Sequence, residues 1–146
     1  MLTVNKYTWI VVANGSGCKI FSGRNKRKGL RLIKGLYSAT SHLKTTNLGT
    51  ERPGRVQESG NPMRHSIEPK ADLHHKEKII FLDLIAIHLN KEASYSTFYQ
   101  LILISSPEVL GVLRKKLNKN TSSLILKEIN KDLTHAKERE IMEALC

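Results

Sequence analysis

Thr8-Trp9-Ile10-Val11-Val12-Ala13, and far along the chain Phe98-Tyr99-Gln100-Leu101-Ile102-Leu103-Ile104, are the two stretches that decide the fold. Each is apolar almost throughout, with no polar residue at alternate positions. A strand with one wet face alternates, whereas a strand covered on both faces does not. Both segments are therefore expected in the middle of a sheet, side by side and parallel.

Working outward, Asn14-Gly15-Ser16-Gly17 has the composition of a turn. Residues 18–22 then alternate, with Ile20 and Phe21 on opposite faces. A polar turn from Arg24 to Gly29 leads into 30–37, where Leu30, Leu32 and Leu36 face Arg31 across a half-exposed strand. Connections this short make the first three strands an antiparallel meander. Residues 38–69 hold Gly49, Pro53, Gly54, Gly60, Pro62 and Pro69 without sustained periodicity, and read as a long loop.

Helical spacing begins near residue 70 and runs to about 92. Leu73, Glu77, Ile80, Leu84 and Ile87 lie on one stripe, and Ile79, Leu82, Ile85 and Leu89 add apolar surface around it. A helix this apolar is expected to be covered on more than one side, by a neighbouring helix or in a homodimer. After the fourth strand, Ser106 has the residue type of an N-cap and Pro107 that of the first helical position. Val109, Val112, Leu113 and Leu117 make the inner face of that second helix. Residues 123–129 read as an edge strand, and Thr134 is expected to cap a last helix bearing Ile141 and Leu145.

The order is β-β-β-α-β-α-β-α. It implies an α/β fold of three layers around a five-stranded mixed sheet of order 3-2-1-4-5, as in ribonuclease H-like proteins. Right-handed crossovers place the first two helices on one face of the sheet and leave the other to the last helix.

This topology gathers residues at one rim. Ligands bind open sheets outside the carboxyl ends of parallel strands, at the point where strand order reverses. Asn14 follows the first strand, Ser105 and Ser106 the fourth, and Lys131, Asp132 and His135 the fifth. Arg52, Arg55, Arg64 and His65 lie in the long loop, where guanidinium groups have the geometry to pair with phosphate, or to pin the loop through Glu51, Glu58 and Glu68. These ten residues (Asn14 to His135) are the expected anion- or ligand-binding set. At the opposite pole, Arg24, Lys26, Arg27 and Lys28 share an end with Arg114, Lys115, Lys116 and Lys119. That cluster is the expected nucleic-acid surface, although cations at a helix C-terminus also serve the helix dipole.

Composition narrows the function classes. The 146 residues are one domain's worth, and 40% are hydrophobic, enough for a core. There are 24 Lys and Arg against 13 Asp and Glu, a formal net charge of +11, which favours polyanionic partners such as RNA or the ribosome. No apolar run approaches the ~18 residues of a membrane span. The opening residues read as a strand rather than a leader, so a cytoplasmic location is expected. Two cysteines, Cys18 and Cys146, are too few for a disulfide framework, and free, unreactive thiols are expected.

Catalytic sets are poorly represented. Asp72, His74, His75 and Glu77 contain no recognised ligand spacing, so neither a metal nor a cofactor is expected. His135 beside Asp132 has the makings of a general base, and Ser105 or Ser106 of a nucleophile, but no G-x-S-x-G elbow is present.

Several ordered motifs resemble those of a known family. They are Trp9-Ile10-Val11-Val12-Ala13-Asn14-Gly15, Arg52-Pro53-Gly54-Arg55, Arg64-His65 with Glu68-Pro69, Leu110-Gly111 with Leu113-Arg114, and Lys131-Asp132-Leu133-Thr134-His135. Together they span nearly the whole chain, which resembles the bacterial host attachment protein family, named for a proposed role in attachment to host cells. The resemblance implies an α/β fold like the central domain of archaeal and eukaryotic peptide-release factors, and with it a ribosome connection. The chain departs from the family pattern at Asn14, where Asp is frequent, and at Leu73, where Pro is frequent. It also lacks the release factors' Gly-Gly-Gln triplet, so peptidyl-tRNA hydrolysis by that route is unsupported. Three readings follow. One is a non-catalytic RNA- or ribosome-associated binding module. The second is a phosphate-directed, metal-assisted hydrolase, and the third an attachment factor as the family's name says.

Overall fold

A computed structural model describes residues 4–24, 29–38 and 70–146. Strands β1 (Thr8–Ala13), β2 (Gly17–Gly23) and β3 (Leu30–Tyr37) precede helix α1 (Lys70–Ser94). Strand β4 (Gln100–Ser105) and helix α2 (Pro107–Lys116) follow. A short helix α3 (Lys119–Ser123), strand β5 (Ile125–Asn130) and helix α4 (Glu138–Leu145) complete the order.

The five strands form one sheet of order β3-β2-β1-β4-β5. β1 runs parallel to β4, Val11 opposite Leu103, and β4 runs parallel to β5. β1–β2 and β2–β3 are antiparallel. The two apolar segments are thus adjacent and central, as their lack of alternation requires. Their residues divide between two cores. Trp9, Val11, Ala13, Leu101 and Leu103 face α1 and α2, whereas Ile10, Val12, Ile102 and Ile104 face α4 through Ile141 and Leu145. The result is the expected three-layer α/β arrangement.

α2 begins as its sequence dictates. The Ser106 hydroxyl accepts from the Val109 N–H at 3.4 Å, and Pro107 occupies the first turn, where its missing N–H has no intrahelical partner to lose. Three features differ from expectation. α3 is an added turn between α2 and β5, capped by the Asn118 side chain on the Thr121 N–H at 2.8 Å. The last helix starts after Lys137 rather than at Thr134, with the Glu140 carboxylate accepting from the Lys137 N–H at 3.1 Å. Thr134 does not cap, because its hydroxyl is engaged elsewhere.

The third difference concerns α1. Its buried face is Phe81, Leu82, Ile85, Ala86, Leu89 and Ala93. Leu73, Ile80, Leu84 and Ile87 lie on the opposite side and are exposed. Among the described residues the helix is therefore covered along one side only.

No helix among the described residues is long and apolar enough to cross a membrane. The loop 38–69 lies outside the described residues beyond Ser38, and with it Arg52, Arg55, Arg64 and His65. Lys26, Arg27 and Lys28 also lie outside them.

Candidate functional site

The rim at the carboxyl end of β1 is built around Asn14. Its side-chain oxygen accepts from the Ser16 N–H at 2.9 Å and the Gly17 N–H at 2.8 Å, closing the turn into β2. Its amide donates to the Thr134 hydroxyl at 2.9 Å, and that hydroxyl donates to Asp132 Oδ1 at 2.6 Å. The Thr134 N–H also donates to Asp132 Oδ1, at 3.2 Å. One chain of hydrogen bonds thus ties the end of β1 to the segment that follows β5. The Thr134 hydroxyl and N–H, helped by nearby His135, hold the Asp132 carboxyl below the usual aspartate range. An amide suits position 14 because only an NH2 group supplies a donor to Thr134 while its oxygen accepts from the turn.

Where a crevice is expected between β1 and β4, a side-chain bond spans the strand ends among the described residues. Ser105 is buried, and its hydroxyl donates to the Ala13 carbonyl at 2.6 Å, stitching the two strands at their ends. Ser106 is engaged as the cap of α2. The mouth of α2 is occupied as well: Lys78 of α1 pairs with Glu108 in the first turn, which lowers the Glu108 carboxyl, and the Lys78 stem lies against Gly15. A Cβ at Gly15 would sit 2.8 Å from Lys78 Cγ, so a side chain there would displace the lysine.

An open space lies on the other side of Asn14, over the antiparallel strands. A pocket of ≈ 240 Å³ is lined by Asn14, Ser16, Lys19, Tyr37, Thr134 and His135, together with Gly17 and Cys18. The Tyr37 ring lies over Gly17, 3.6 Å from where a Cβ would stand, and is itself 60% exposed. The alternation of β2 puts Lys19 on the same face as Phe21, opposite buried Cys18 and Ile20. Burial pushes the Cys18 thiol up to about 12, far from a reactive thiolate.

Of the expected rim residues, the structure brings Asn14 and His135 into the pocket and puts Asp132 behind Thr134. Lys131 is exposed beyond β5. Lys19 and Tyr37 were missed from sequence. The alternation that set Lys19 apart from its apolar neighbours was the available signal, whereas nothing local marks Tyr37. Among the described residues no group of three or more His, Cys, Asp and Glu could hold a metal ion. His74 and Glu77 do share a side, 3.9 Å apart.

At the opposite pole Arg114 and Lys116 make surface ion pairs. Arg114 forms a two-oxygen pair with Glu128, with Nε–O distances of 2.8 and 3.1 Å, and Lys116 reaches Asp83 at 3.4 Å. Lys115 and Lys119 are exposed, and the Arg24 guanidinium bonds the Leu30 carbonyl at 3.3 Å.

A family model described as "Protein required for attachment to host cells" matches residues 9–145, and the chain belongs to that family. No curated protein sequence matches it. Among solved structures it is similar to the crystal structure of an archaeal translation termination factor, aRF1, at 10% identity and a TM-score of 0.51. That match covers 94% of this chain and 36% of the termination factor, so the chain spans about a third of that protein's length. A second structure, described as an archaeal protein, is 14% identical with a TM-score of 0.44, covering 94% of this chain and 35% of that one. The first likeness shows a shared fold.

Proposed function

We propose that this member of the host attachment family is a non-catalytic module that binds RNA, free or within the ribosome, at the pocket beside Asn14. The observation that carries this reading is the meeting of the exposed Tyr37 ring with the Lys19 ammonium and the His135 imidazole around one small hollow. A ring with an open face stacks on an unpaired base, a gain of about 1–3 kcal/mol. An ammonium and an imidazole N–H beside it complement the adjoining phosphate. The formal net charge of +11 supports the same class of partner by drawing a polyanion to the surface. The name of the termination factor that shares the fold agrees with a setting in translation. The reading requires work in the cytoplasm, where RNA is.

The hydrolase reading is less well supported. The hydroxyls of Ser105 and Ser106 are held in structural bonds, and the one at Thr134 already accepts from Asn14 and donates to Asp132.

Fluorescence anisotropy with labelled single-stranded and duplex RNA tests the proposal. Single strands are expected to bind more tightly, with affinity falling as salt rises. Tyr37→Ala is expected to weaken binding by about 1–3 kcal/mol, and Lys19→Ala to flatten the salt dependence. Absence of binding at low salt, or an unchanged affinity for Tyr37→Ala, overturns it. Turnover of a phosphoester that His135→Ala abolishes would put the hydrolase in its place.

A further inference from the structure

The outward side of α1 is unusual for an exposed helix. Ile80 is 62% exposed, Leu84 and Ile87 55% each, and Leu73 47%, on the side directly away from fully buried Leu82, Ile85 and Leu89. Scattered apolar residues on a surface need no explanation, but a continuous aliphatic ridge marks a contact.

The spacing says what kind. Leu73, Glu77, Ile80, Leu84, Ile87 and Lys91 follow one another at alternating intervals of four and three, the seam of a helix that packs lengthwise on another helix. α1 has 25 residues, a rod of about 37 Å, long enough for such a seam.

The charges say which helix. Glu77 and Lys91 stand on the seam at equal distances on either side of Leu84. A second copy running the same way sets Glu77 against Glu77 and Lys91 against Lys91. A copy running the opposite way sets each Glu77 against the other copy's Lys91. That arrangement also lays Leu84 on Leu84 and Ile80 on Ile87. It brings Leu73 beside Tyr95, which is 68% exposed just past the end of α1. Residue i meets j and j meets i, as a two-fold axis demands.

We infer that the outward face of α1 is the interface of a homodimer, in which two copies of the helix pack antiparallel about Leu84. The flanking charges limit the contact to one register, because a slide by one turn removes both Glu77–Lys91 pairs and buries a charge against an aliphatic side chain. The interface lies on the helix side turned away from the sheet and so leaves the pocket at Tyr37 open.

The mass in solution tests this on the full chain. Sedimentation or light scattering at about 100 μM is expected to give twice 16.5 kDa, a concentration well above the micromolar range of modest dimers. Leu84→Glu is expected to give the single-chain mass with an unchanged far-ultraviolet circular-dichroism spectrum, since the side chain lies on the exposed side of α1, and to melt lower than the dimer by losing the stabilisation that association supplies. Glu77→Lys and Lys91→Glu are each expected to weaken the dimer about tenfold by setting like charges face to face at both ends, and the double exchange to restore it. In a parallel dimer the single exchanges would only replace one like pair by another. A wild-type monomer at that concentration overturns the proposal, as does a dimer that persists in Leu84→Glu. A double exchange no tighter than the single ones overturns the antiparallel register.

Discussion

The Asn14 amide donates to the Thr134 hydroxyl across 120 positions of sequence, at 2.9 Å, and this bond joins the first parallel strand to the segment that leaves the last. Thr134 has one hydroxyl proton, and it is directed to Asp132 at 2.6 Å. The donor in the link must therefore come from residue 14.

Asn14→Asp tests that requirement. Two carboxylates would then compete for one hydroxyl proton, leaving one acceptor of the chain unpaired. The change is expected to lower stability by about 1–2 kcal/mol at neutral pH. The denaturant midpoint reads it directly, and an unchanged midpoint would show that the amide donor is dispensable.

Acidification should act at two places. Trp9, the only tryptophan, stacks on His88 with ring centroids 6.1 Å apart. Burial first, then Lys34 and Lys91 against an opposing Glu92, hold the imidazole below the usual histidine value. The folded state thus favours neutral His88. Its contribution is complete above about pH 6.5 and is lost as pH falls through the lowered value. Trp9 fluorescence is expected to be quenched by the imidazolium with a midpoint below about 6.5, and His88→Gln to remove that transition. The Asp132 contribution has the same sign in a lower window, complete above about pH 4 and lost beneath it. A tryptophan signal flat between pH 7.5 and 5 would contradict the His88 assignment.

Thiol labelling separates the cysteines. Cys18 is buried between strands and α1 with its thiol pushed up to about 12, whereas Cys146 is exposed. One thiol is expected to react with a water-soluble reagent in the folded protein and two after denaturation. Sequence treats the two thiols alike, and burial distinguishes them. Rapid modification of both in the native state would show that the core at Cys18 opens.

Two glycines at the β2–β3 hairpin are expected to resist substitution for different reasons. Gly29 has φ +111, a region that L side chains avoid, and it precedes Leu30, whose N–H donates to Glu138 at 3.0 Å. Gly23 has no positive φ, but a Cβ there would lie 2.7 Å from the Asn5 carbonyl oxygen. Gly29→Ala is expected to cost about 1 kcal/mol or more through strain. Gly23→Ala should cost more, because backbone rather than a flexible side chain must move. Thermal melts of both rank the two effects, and a silent Gly23→Ala would show that the N-terminal segment gives way freely.

Much of the fold was legible in residues 8–13 and 98–104, because a strand covered on both faces leaves an unbroken apolar run bounded by turn residues. The start of α2 was equally plain, since Ser106 and Pro107 act through their own backbone and the next turn. What depends on near neighbours and on periodicity is thus readable along the chain: the strand order, the layers, and the rim to which Asn14 and His135 belong. Tertiary structure alone decided what depends on contacts through space. It chose the inward side of α1, whose aliphatic residues encircle the helix and so point nowhere. It moved the start of α4 to Lys137 by engaging Thr134 with Asn14 and Asp132. It tied the ends of β1 and β4 together with the Ser105 hydroxyl and shaped a pocket that Lys19 and Tyr37 line from neighbouring strands. The physical reason is one of range: hydrophobic alternation is written into consecutive residues, whereas a hydrogen bond or ion pair exists only once the chain has brought distant side chains within about 3 Å.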